Sequence, residues 1–182
     1  MTETDLKSLR VLIVGGKAAN VQILRTAFGL LGIRLITAIQ EPGRAVEALR
    51  TSVYGAIFCD AAAERFERMP FHVAARRAAG VLGPMTPLFI VYSHAHQRHV
   101  EQARDAGVTD VLTHPVSAAT IARKLEVSIK RPRNFIAAAT FFGPDRRTDR
   151  SNTWYGHDRR KRIAKKTRIL VPDAASNDAV LL

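Results

Sequence analysis

The sequence holds one cysteine and one tryptophan in 182 residues, and acidic side chains are scarce beside basic ones. A single cysteine, Cys59, excludes an internal disulfide, and its place in the apolar run Ala56-Ile57-Phe58-Cys59 is that of a small core residue. No stretch of roughly eighteen apolar residues occurs, so no membrane-spanning helix is expected. The first five residues, Met1-Thr2-Glu3-Thr4-Asp5, have neither the basic start nor the apolar stretch of a signal peptide. The expectation is a cytoplasmic protein. Gly15-Gly16 is not followed by a G-x-G-x-x-G or G-x-x-x-x-G-K pattern, which argues against a nucleotide loop. His94, His96, His99 and His114 lack a tight metal-ligand spacing and read as solvated histidines, so no metal site is assigned.

What the chain does have is apolar content, 47% of its residues, enough for one domain with a real core. From Leu9 to Lys130 short apolar runs alternate with helix-like segments, the pattern of a parallel sheet with crossover helices. The predicted strands are Leu9 to Val14, Ile33 to Ala38, Tyr54 to Cys59, Leu88 to Tyr92 and Val108 to Thr113. The first, third and fourth carry nearly unbroken apolar runs, which places them in the middle of the sheet with both faces covered. Helices are predicted over Ala18 to Leu31, Pro42 to Arg50, part of Phe71 to Ala79, Gln97 to Ala106, and Ser117 to Ile129 with the serine as cap. Five strand-helix units make an α/β, doubly wound (βα)5 flavodoxin-like sandwich, with sheet order 2-1-3-4-5.

The charge of +12 is uneven along the chain. Residues 1–130 hold 16 Lys and Arg against 11 Asp and Glu, whereas residues 131–182 hold 12 against 5. The division is therefore a domain over 1–130 and a basic, largely disordered tail over 131–182. The tail contains a duplicated motif: Phe141-Phe142-Gly143-Pro144-Asp145-Arg146-Arg147 is matched by Trp154-Tyr155-Gly156-His157-Asp158-Arg159-Arg160. Phe141, Phe142, Arg146, Arg147, Trp154, Tyr155, Arg159 and Arg160 are the candidate binding residues, the aromatics as anchors and the arginines as partners for carboxylates or phosphates. Such a segment suits a protein partner, RNA or single-stranded DNA, or an anionic lipid surface, and it also reads as a solubilising extension.

In an open α/β sheet the site lies beyond the carboxyl ends of the strands, at Gly15-Gly16, Asp60, Ser93-His94 and His114-Pro115. These residues give a resemblance to response-regulator receiver (CheY-like) domains. Tyr54 to Asp60 looks like the family's third strand with its phosphoacceptor aspartate, Ser93 stands at its Ser/Thr position, Ala103 to Asp110 matches the approach to its fifth strand, and His114-Pro115 takes its Lys-Pro position. The resemblance implies that Asp60 accepts a phosphoryl group from a histidine kinase with Mg²⁺, that Ser93 bonds the phosphate, and that Pro115 follows a cis peptide. This chain departs from the pattern at the acidic pair that holds Mg²⁺, which is Gly15 and Gly16, at the lysine, which is His114, and at the switch aromatic, which is Val111.

The first reading is a non-catalytic, receiver-like (pseudo-receiver) adaptor in two-component or phosphorelay signalling, binding a kinase, another regulator or a second copy of itself. It needs no cofactor, Mg²⁺ entering only if Asp60 is functional. The rivals are a phosphorylatable regulator using Asp60 and a nucleic-acid binder working through its tail. On sequence grounds alone, returning Asp to both glycines should raise Mg²⁺ affinity.

Overall fold

The structure is a computed structural model that describes residues 6–63, 65–66, 69–78, 86–137, 142–145 and 165–167. After a short 3-10 turn, Leu6–Ser8, the chain alternates β1 (Arg10–Val14), α1 (Ala18–Leu30), β2 (Leu35–Ile39), α2 (Pro42–Thr51) and β3 (Ala56–Asp60). A second 3-10 turn, Ala61–Ala63, leads to a small hairpin of β4 (Arg65–Phe66) and β5 (Met69–Pro70) and then to α3 (Phe71–Ala78). There follow β6 (Leu88–Tyr92), α4 (Gln97–Asp105), β7 (Asp110–Thr113) and α5 (Ala118–Lys130).

β2, β1, β3, β6 and β7 lie side by side in that order, all parallel, which is 2-1-3-4-5 when only these five strands are counted. The apolar runs account for this order. β1, β3 and β6 are buried over four consecutive residues each, whereas β2 and β7 are only partly covered, as edge strands are. Alternation along each strand divides the core between two faces. Val11, Ile13, Phe58, Phe89 and Val91 face α1 and α5, where Phe28 meets Phe58 edge-on at 4.9 Å and Phe58 stacks on Phe89 at 4.8 Å. Leu12, Val14, Ile57, Leu88 and Ile90 face the other way, against Val46 and Leu49 of α2 and Phe71 and Ala75 of α3. Each fully buried aliphatic or aromatic side chain contributes roughly 1.5–3 kcal/mol relative to exposure, which is why the apolar runs dictate the sheet.

The helices follow their sequence signals. α1 buries Val21, Leu24, Ala27 and Phe28, one stripe at helical spacing. α5 starts where Ser117 Oγ accepts the Thr120 N–H at 3.1 Å. α3, the shortest of the five, occupies Phe71–Ala78.

The segment read as tail contributes structure that the sequence reading did not assign. β8 (Phe135–Ala137), β9 (Phe142–Pro144) and β10 (Lys165–Thr167) form an antiparallel sheet in the order β10-β8-β9. Phe135 is only 5% exposed. One aromatic seated against the domain supplies the burial that the segment's own pattern lacks. Among the described residues, no helix is long and apolar enough to cross a membrane.

Candidate functional site

The carboxyl ends of β1, β3, β6 and β7 bring Gly15, Gly16, Asp60, Ser93 and His114 to one edge of the sheet. The ladder brings Asp60 there because Asp60 pairs with Val91 of β6, two residues before Ser93. The His114–Pro115 peptide is cis, as the resemblance implied.

Asp60 is used locally. Its Oδ1 accepts the Ala62 N–H at 2.8 Å, capping the Ala61–Ala63 turn, and its Oδ2 lies 3.5 Å from Asn20 Nδ2 of α1. Among the described residues Asp60 makes no ion pair, with His114 or with any other cation.

The two glycines have left-handed backbone, φ +68° at Gly15 and +88° at Gly16, a region that disfavours Asp. A Cβ on Gly15 would fall 2.0 Å from Ala63 Cβ, and one on Gly16 would fall 3.1 Å from Asp60 Oδ2. The turn capped by Asp60 therefore fills the space of a Gly15 side chain, and the Asp60 side chain itself crowds that of Gly16. The expectation that Asp at both glycines raises Mg²⁺ affinity therefore meets a steric condition: at Gly15 the side chain has no room while Ala63 stays where it is.

Mg²⁺ asks for several oxygen ligands in near-octahedral geometry. The donors here are one carboxylate engaged with a backbone N–H, and among the described residues no three His, Cys, Asp or Glu come together in a way that could hold a metal ion. The residues present do not fit the metal.

Other residues of the edge are placed individually. Ser93 is exposed. His114 donates its backbone N–H to Tyr92 O at 2.8 Å, while both ring nitrogens are enclosed without a hydrogen-bond partner among the described residues. His99 stacks on Tyr92 with ring centres 5.1 Å apart, and its Nδ1 is 3.4 Å from the His96 N–H at the start of α4. The His96 and His99 imidazoles serve the local packing at the start of α4. Of the tail residues, Phe142 lies in β9; Phe141, Arg146, Arg147, Trp154, Tyr155, Arg159 and Arg160 lie outside the described residues.

Sequence reading missed a buried cation at the other end of the sheet. Arg76 of α3 is 7% exposed and donates to Thr86 O and Gly107 O, each at 3.1 Å. Burial lowers its pKa to about 9, which still leaves a cation at neutral pH. His72, one turn earlier on α3, is 2% exposed; burial first, and then the Arg76 charge, push its pKa down to about 4. An Arg on a short amphipathic helix gives no sequence sign that it points inward.

No protein-family model matches the chain, and no curated protein matches it. Solved structures do. The receiver domain of a sensor histidine kinase from Pseudomonas aeruginosa, with a magnesium ion coordinated in its active-site cleft, is 26% identical. It covers 67% of this chain and 98% of its own, with a TM-score of 0.55. The receiver domain of a Francisella response regulator is 19% identical over 69% of this chain and all of its own, TM-score 0.55. The receiver domain of a modulated diguanylate cyclase from Desulfovibrio desulfuricans is 21% identical over 68% and 94%, TM-score 0.55. With the strand order and the aspartate at the end of β3, these likenesses show that the five-stranded part of this chain has the fold of response-regulator receiver, CheY-like domains.

Proposed function

We propose that this chain is a pseudo-receiver: an adaptor in two-component or phosphorelay signalling that works by binding another protein and does not depend on phosphorylation of Asp60. The observation that carries the reading is the filled site, in which Ala63 occupies the room of a Gly15 side chain and Asp60 caps the turn that puts Ala63 there. The Pseudomonas neighbour coordinates magnesium in its cleft. Here two of the usual anionic ligands are replaced by glycines in left-handed conformation, so the same chemistry lacks its ligands.

Asp60 then holds the β3 edge together, and the partner face is that of α4, β7 and α5, as in the family the fold belongs to. A histidine kinase, another regulator or a second copy of the chain are the partners this reading admits. No catalytic step is assigned.

The test is intact-mass analysis of the full chain after incubation with acetyl phosphate and Mg²⁺, alongside a phosphorylatable receiver as positive control. The pseudo-receiver shows no added phosphoryl group. Stoichiometric labelling that disappears in Asp60→Asn would overturn the proposal in favour of a working phosphoacceptor.

A further inference from the structure

At the end of the sheet opposite Asp60, the last two turns of α5 and the β8–β9 hairpin enclose a cleft of about 80 Å³. Its floor is apolar, with Val127, Pro132 and Phe135, and Arg123, Arg131 and Arg133 stand around it. All three arginines are exposed, and among the described residues none makes an ion pair. Lys124, beside them, is already engaged by Asp110. Val127, 52% exposed, is the outward apolar residue of α5, and it opens into this cleft.

We infer that this arginine-walled cleft, together with the basic strand β10 paired alongside it, is a binding surface for single-stranded nucleic acid. The size of the cleft is the first argument. Pockets that enclose a small molecule run to roughly 300–1,000 Å³, so this one seats a single group of a longer ligand. The second argument is charge. Arg123 and Arg131 lie about 12 Å apart along α5, and unpaired guanidinia at that spacing suit a backbone that carries one charge per unit.

The third argument is topology. β10, Lys165–Thr167, pairs in register with β8, Lys166 opposite Ile136. β8 contributes Phe135 to the cleft, and β10 belongs in sequence to the run from Arg159 to Leu170, which has seven Lys and Arg in twelve residues. The aromatic pairs Phe141-Phe142 and Trp154-Tyr155 flank the same strands in sequence. Basic groups that follow a backbone are what a single-strand site needs first.

The experiment is fluorescence anisotropy of labelled oligo(dT) and oligo(U) single strands with the full chain across a salt series. Two triple variants are compared: Arg123→Gln/Arg131→Gln/Arg133→Gln in the cleft, and Arg25→Gln/Arg34→Gln/Arg44→Gln on exposed positions elsewhere, which removes the same charge. The native chain binds both strands. The cleft variant binds at least about tenfold more weakly, and its log-log salt dependence is shallower by about 2, from roughly 0.7 per lost contact. The control variant keeps most of the affinity.

Circular dichroism of both variants against the native chain establishes that each is folded. No binding by the native chain overturns the inference, as does equal loss in the two variants, which would mean diffuse charge attraction. Binding of a poly-glutamate peptide as tight as that of the single strands, with the same dependence on the cleft arginines, would reassign the cleft to an acidic protein segment. Each of these failures leaves the phosphorylation test of the pseudo-receiver reading untouched.

Discussion

The Arg76 guanidinium carbon lies 4.9 Å from the centre of the Phe135 ring, joining α3 to a strand of the C-terminal segment. The same guanidinium donates to Thr86 O and Gly107 O, so one buried cation gathers α3, the approach to β6, the loop before β7 and β8. Cation and ring are both more than nine-tenths buried. A cation–π contact shielded from water in this way contributes about 2 kcal/mol, beyond the area that Phe135 buries.

This contact predicts that the domain draws stability from a residue beyond Lys130. Phe135→Ala should destabilise the full chain by about 3 kcal/mol or more in urea unfolding, with Phe135→Leu recovering part of the loss because it keeps apolar volume. If 131–182 were energetically independent of the domain, Phe135→Ala would shift stability by less than about 0.5 kcal/mol, the usual range for a surface change.

His72 makes stability pH-dependent in a defined window. Its pKa is about 4 in the fold against 6.5 in the unfolded chain. The unfolded state binds the proton first as pH falls, so the stability from neutral, buried His72 is complete above pH 6.5 and is lost as pH falls towards 4. The loss approaches about 3 kcal/mol across that window. Stability of a His72→Gln variant should lack this component, and an unchanged pH slope in the variant would show that His72 is not its source.

The Gly15–Ala63 contact predicts a coupled pair. Gly15→Asp should lower stability by about 1–3 kcal/mol, since left-handed backbone and the Ala63 methyl both oppose the side chain. Ala63→Gly should recover part of that cost in the double variant, a coupling that a double-mutant cycle reads directly. Magnesium titration of the two variants, followed by thermal shift, should show a gain in the double variant and none in Gly15→Asp alone.

The duplicated motif distinguishes shaped recognition from charge. Changing Phe141, Phe142, Trp154 and Tyr155 to Ala should weaken partner binding as much as changing Arg146, Arg147, Arg159 and Arg160 to Gln. Buried anchors are worth about 2 kcal/mol each and exposed charges about 1 kcal/mol or less. Calorimetric titration with the partner recovered from cells makes the comparison. Normal binding by the aromatic variant alone would reduce the motif to a basic patch.

The sequence by itself determined the sheet. Val11-Leu12-Ile13-Val14, Ala56-Ile57-Phe58-Cys59 and Leu88-Phe89-Ile90-Val91 place three strands at its centre, because only strands covered on both faces bury every residue in a row. It also brought Asp60, Ser93 and His114 to one edge, since parallel strands point their carboxyl ends the same way. Tertiary structure alone decided what fills that edge and what closes the far end. Ala63 is near Gly15 only because Asp60 caps the turn between them, and glycine itself says nothing about which neighbour takes the space it leaves. Arg76 and Phe135 are 59 residues apart and neither belongs to a periodic pattern that marks it as buried. Long-range contacts of this kind depend on the partner that the fold delivers, and a charge on a short helix becomes a core residue only when backbone carbonyls from Thr86 and Gly107 are there to receive it.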